Sequence, residues 1–133
     1  MKLFQKSEFN ADASEELIKS YLYAPSVHCS YYSVFQLMKY LMNTFCGINY
    51  EDIDVFVRNN KTSEHRYIQR QILNEINNAD RENYQRIKRE VDDLFQFRVY
   101  SDYKNVEILH DQAEKAFKYS QELRNYLKTK MIK

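Results

Sequence analysis

Arg98 and Asp102 stand four residues apart on a stripe that Tyr84, Ile87, Val91 and Leu94 define at steps of three and four. That period marks the face a helix buries. Charge on such a face must be paired, hydrogen-bonded or placed at the open end of the packing. One reading is an intrahelical ion pair, contributing about a few tenths of a kcal/mol. The other is a polar pocket or a symmetric interface. There Arg98 grips a phosphate or carboxylate through its forked donors while Asp102 fixes it.

Other chemically capable residues are sparse. His28 and Tyr32 are four apart on one helix, so their side chains can touch. His65 follows Arg58 with six residues between them, a spacing that recurs by chance; His65 is expected at the start of the third helix, bonded across to the fourth. Glu107-x-x-His110 has the ligand spacing of carboxylate-bridged di-iron bundles. Those sites need two such motifs and two further glutamates, so no metal site is assigned. A single glycine excludes a Gly-rich phosphate loop, and no cofactor is expected. Cys29 and Cys46 share one expected helix, roughly 25 Å apart along its axis. That is too far for a disulfide within the chain, and reduced, buried thiols are expected. The basic end, with Arg124, Lys128, Lys130 and Lys133, reads as a frayed, solubilising tail rather than an RNA contact.

These residues must be positioned by helices. The 133 residues contain one glycine and one proline, too few for hairpins and tight strand turns, and 44% are hydrophobic, enough for a core. Twelve tyrosines and eight phenylalanines suit helix interfaces, where a hydroxyl stays wet while the ring is buried. The net charge of +1 gives no global field toward nucleic acid or an anionic membrane. The opening MKLFQKSEF lacks the apolar stretch of a signal peptide, and no run reaches the roughly 18 apolar residues of a membrane span. Cytoplasmic residence without membrane association is expected.

The periodicity predicts one domain over residues 1–133, an all-α antiparallel bundle of about five helices. The first runs from Asn10 to Tyr23, with Ala13, Leu17 and Tyr21 inward. The second starts at Pro25 and buries Val27, Tyr31, Val34, Phe35, Met38, Leu41, Met42 and Phe45, stopping at Gly47. Ile48–Lys61 reads as a long connection with room for a short helical turn. Ser63 caps the third helix, with Ile68, Ile72 and Ile76 inward. The fourth begins near Asp80. The fifth begins after Asn105 and buries Val106, Leu109, Ala113, Ala116, Ser120, Leu123 and Leu127.

Several stretches resemble one family. SYLYAPSVHCSYYSVFQLMKYLM is similar to the first helical hairpin of HEPN domains, with Ser30, Tyr31, Tyr32 and Phe35 supplying the signature of its second helix. LFQFRVYSDYKN resembles a Leu-x-x-x-Arg-x-x-x-Asp-Tyr segment of one HEPN subgroup, through Leu94, Arg98, Asp102 and Tyr103. SEHRYIQRQI and EILHDQAEKAFKYSQELRNYL are similar to the third and last helices of that family.

The resemblance implies a helical bundle that forms homodimers. Many HEPN domains are metal-independent endoribonucleases, often toxins beside a nucleotidyltransferase-type antitoxin. Their catalytic pattern is arginine, four to six residues, then histidine, supplied by both subunits to one cleft. Five residues after Arg98 this chain has Tyr103 instead. A phenol with an ordinary pKa of about 10 is a poor proton shuttle at neutral pH. The resemblance therefore implies an interaction module that binds RNA or a nucleotide, or pairs with a nucleotidyltransferase-like protein. Arg98, Asp102, Tyr103, Tyr32 and His28 are its candidate binding residues. The alternative is an endoribonuclease in which Arg98 binds the phosphate and Tyr103, His65 or His28 moves the proton.

Overall fold

The computed structural model describes residues 2–132, and each helix in it has a local cause. Helix α1 spans Lys2–Lys19, eight residues earlier at its start than the period of Ala13 and Leu17 suggests. Its only fully buried residues are Ser7 and Ser14. Phe4 and Ile18 pack on the core only partly buried, and the serines between them interrupt the hydrophobic stripe that would betray the helix. Ser7 Oγ donates to the Ser33 carbonyl at 2.5 Å and Ser26 Oγ to the Ser14 carbonyl at 2.7 Å. These small side chains let α1 lie close against α2 (Tyr23–Thr44). Tyr21, expected inward, is instead the left-handed residue that ends α1, with φ 62° and 79% exposure. The Leu22 and Tyr21 amides close that turn on the Leu17 and Ile18 carbonyls.

Helix α2 is the central element and packs on α1, α4, α5 and α6. Its apolar stripe from Val27 to Met42 is buried as the period predicts, but Phe45 lies past the last turn and is exposed. Gly47 adopts φ 72° there, the left-handed stop that a glycine reaches without strain. The expected long connection is a helix of its own, α3 (Tyr50–Asn60). Asn49 caps it by accepting from the Asp52 amide at 2.9 Å, and Ile53 is its one fully buried side chain. One inward residue leaves too little periodicity to read, which is why the described residues form six helices rather than five.

Helix α4 (Glu64–Ala79) begins at the Ser63 cap and buries Ile68, Ile72 and Ile76. Helix α5 (Arg81–Tyr103) buries Ile87, Val91 and Leu94, then Arg98. Helix α6 (His110–Met131) starts later than expected, so Val106 and Leu109 precede it and stand exposed. Ala113, Ala116, Ser120, Leu123 and Leu127 form its inner face.

The basic end is not a frayed tail. It is the last turns of α6, and Arg124 is 5% exposed. Arg124 Nη1 donates to Ser7 Oγ and to the Ser33 carbonyl at 3.0 Å, while Nη2 pairs with Glu8 at 2.9 Å. Lys128 also pairs with Glu8. Lys133 lies outside the described residues. No helix is long and apolar enough to cross a membrane among the described residues.

Candidate functional site

Leu94 is buried in the apolar core, and one turn later the same stripe of α5 delivers Arg98, which is 8% exposed. A guanidinium there needs a partner for its charge and for its donors. Asp102, one further turn along, accepts from Arg98 Nε at 3.0 Å. Arg98 Nη2 donates to the Tyr32 hydroxyl at 3.0 Å and to the Tyr103 hydroxyl at 3.2 Å. Its central carbon lies 5.6, 5.4 and 5.2 Å from the ring centres of Tyr31, Tyr32 and Tyr103. The cation thus sits within three aromatic rings, an attractive arrangement for a charge held out of water. Nη1 has no hydrogen-bond partner among the described residues.

Asp102 serves a second side chain. His28 Nδ1 lies 2.9 Å from the same Oδ2 that Arg98 Nε uses. A carboxylate only accepts, so Nδ1 carries the proton in this contact. In the neutral ring the other nitrogen, Nε2, is then the acceptor, and the His28 side chain is 46% exposed. Its ring centre lies 4.6 Å from that of Tyr32, one turn further along α2, with the two rings tilted by 36°. Five expected binding residues, Arg98, Asp102, Tyr103, Tyr32 and His28, therefore meet at one corner of α2 and α5.

His65 lies beside that corner but faces inward. Its Nδ1 is 2.6 Å from the Tyr31 hydroxyl on α2, not bonded across to α5 as expected. Gln69 Nε2 donates to that hydroxyl at 3.1 Å. With Gln69 as its donor, Tyr31 keeps its own proton to give to His65 Nδ1, the arrangement of a neutral imidazole protonated at Nε2. Burial, with the Arg98 charge adding to it, holds His65 below the usual histidine range. Burial likewise drives the Tyr31 phenol well above its ordinary value. The His65 ring also stacks on Phe35 at 4.2 Å. Arg58 ends α3 exposed and does not join the cluster.

Tyr31 and Gln69 were not among the site residues the sequence suggested. Tyr31 reads as core because its ring is core; only its hydroxyl works. Gln69 is buried on α4 beside Ile68, and a glutamine flanking an apolar stripe is the one trace it leaves.

The other candidates disperse. His110 Nε2 lies 3.2 Å from Glu114 on its own helix, and its ring packs edge-on against Tyr23. Glu107 is exposed before α6. Among the described residues no three His, Cys, Asp or Glu side chains converge to hold a metal. Cys29 and Cys46 are free and only half-buried, and burial raises both thiols.

A family model of the HEPN domain matches residues 1–130. No curated protein and no solved structure matches the chain.

Proposed function

The chain belongs to the HEPN domain family, and on that premise we propose that it is a binding module that holds a phosphate of RNA or of a nucleotide at Arg98. One observation carries this: a buried arginine, fixed by Asp102, Tyr32 and Tyr103, with Nη1 uncommitted. An arginine already held in one pose loses little conformational entropy on binding an anion. Tyr103 is 68% exposed and offers a ring on which a base can stack. Asp102 offsets much of the positive field, so hydrogen bonding and stacking carry more of the affinity than bulk attraction.

Binding is preferred over cleavage because Tyr103 occupies the place of the nuclease histidine. Its hydroxyl accepts from Arg98 instead of facing outward as a base. The module acts as a homodimer in the cytoplasm. Tyr100, Val106 and Leu109 stand exposed around the end of α5, an apolar face suited to a second copy. A nucleotidyltransferase-like protein is the proposed further partner, in the manner of toxin–antitoxin pairs of this family.

The test is titration of a fluorescent RNA and a fluorescent nucleotide with wild type and Arg98→Ala. Binding that the substitution abolishes supports the reading; equal binding by both proteins overturns it. Light scattering should give twice the 16.2 kDa monomer mass.

A second reading, metal-independent endoribonuclease, is favoured by one observation, the Asp102-oriented His28. An exposed imidazole with Nδ1 held leaves Nε2 able to take the proton of an attacking 2′-hydroxyl. His65 is committed to Tyr31 and fits that role less well. RNA cleavage in the presence of chelator, lost in His28→Ala, would establish this reading over pure binding.

A further inference from the structure

The Arg98 corner continues into a second cationic surface. Phe95, one turn before Arg98 on α5, has its ring centre 5.5 Å from that of Tyr31. The Arg66 guanidinium sits 4.8 Å over the same Phe95 ring. Arg66 opens onto a cleft of about 180 Å³ between α4 and α5, lined also by Arg70, Gln69, Tyr84, Lys88 and Asp92. Lys88 pairs with Asp92 at 2.9 Å, but neither Arg66 nor Arg70 pairs with a carboxylate among the described residues. The cleft therefore holds three cations against one anion, two of them arginines with their forks free.

Distance decides what the surface fits. Arg98 and Lys88 are ten residues apart on α5, or about 15 Å along its axis. At roughly 3.4 Å per stacked nucleotide, that length spans about four phosphates of one strand. A single phosphate group cannot bridge it. The cleft presents Tyr84 among its cations, and Arg66 covers the Phe95 ring; rings interleaved with cations are the mixture that single strands use.

We infer that the α4–α5 cleft, through Arg66 and Arg70, is a second phosphodiester-binding subsite that makes the ligand a single-stranded polynucleotide rather than a mononucleotide. The inference rests on the reading of Arg98 as a phosphate site and names the class of its ligand. Arg66 and Arg70 act as positioning cations along the backbone, with Lys88 at the far end.

The test measures anisotropy of a fluorescein-labelled ten-nucleotide RNA, the same sequence as single-stranded DNA, and a fluorescent AMP analogue. The proteins are wild type, Arg66→Gln/Arg70→Gln and Arg98→Ala. Both arginines are exposed, so the double variant should keep the wild-type Tm. It should bind the oligonucleotide at least tenfold more weakly and the AMP analogue unchanged. The slope of log affinity against log salt should fall by about 1.4, the loss of two single-strand phosphate contacts. RNA and DNA arms distinguish a ribose-dependent strand from backbone recognition alone; either result supports the subsite if it depends on the arginine pair. Wild-type oligonucleotide affinity in the double variant overturns it while leaving the Arg98 reading intact. Binding that needs the pair but not Arg98 upholds the cleft and sinks the Arg98 reading. No oligonucleotide binding by wild type overturns the inference outright.

Discussion

His28 Nδ1 lies 2.9 Å from Asp102 Oδ2, joining the first turns of α2 to the last turn of α5 across 74 residues of sequence. The same oxygen receives Arg98 Nε at 3.0 Å, so one carboxylate orients both the cation and the imidazole of the site. Asp102→Ala should leave the buried guanidinium without its counter-charge and cost about 2 kcal/mol, read from urea unfolding. The companion Arg98→Met/Asp102→Ala protein should recover most of that loss, because it removes the unpaired charge rather than exposing it. Equal instability of the single and double variants would contradict the pairing.

The hydrogen bond from the Tyr31 hydroxyl to His65 Nδ1, 2.6 Å long, is buried beside Gln69. Tyr31→Phe keeps the ring packing and strips both neighbours of their partner, so it should cost about 1–2 kcal/mol. A Tm equal to wild type would show that water replaces the hydroxyl.

His65 makes stability depend on pH in a stated direction. Burial and Arg98 hold its folded pKa below the unfolded value of about 6.5. As pH falls through about 6.5 the unfolded chain takes up a proton that the folded chain refuses, so stability drops. The loss stops growing below the folded pKa. Thermal melts from pH 7.5 to 5 should show a smaller fall in Tm for His65→Gln than for wild type, and parallel curves would refute the assignment.

Glu90 on α5 is buried, with Oε2 unpartnered. Burial pushes its carboxyl up, and Glu122 on α6 pushes it further, against the weaker pull of Arg86 3.5 Å away. A raised folded pKa means that stability is full below the unfolded value of about 4.3 and is lost as pH rises through the folded one. Glu90→Gln should therefore stabilise the protein at pH 7 by about 1 kcal/mol, or roughly 4 °C in Tm. The gain should vanish near pH 4. A destabilised variant at neutral pH would mean that Arg86 outweighs both opposing effects.

Arg124 locks α6 to α1 and α2 through Ser7, Ser33 and Glu8. Arg124→Ala removes the donor and leaves those acceptors behind, at a cost of about 3 kcal/mol. Because α1 contributes only serines to the fully buried core, hydrogen exchange in α1 should accelerate more than in α4. Uniform acceleration would show that α1 does not open independently.

The helices that bury wide apolar stripes were legible in the sequence. Residues Val27 to Met42, Ile68 to Ile76 and Ile87 to Leu94 recur at helical steps and lie in the core. The first half of α1 and all of α3 were not, since serines and a lone Ile53 carry no period. Spacing placed Arg98 and Asp102 on one face and His28 beside Tyr32, because four residues make one helical turn whatever surrounds it.

Which of these pairs would meet, and what else would join them, belonged to the tertiary structure. Packing α2 against α5 put His28 on Asp102 and Tyr32 on Arg98, and packing α4 against α2 turned His65 inward onto Tyr31. It also turned an apparent basic tail into a buried lock at Arg124. The physical reason is one of range: helical period is a local property of the backbone, whereas the partner of a charge is set by which helix crosses it, many residues away.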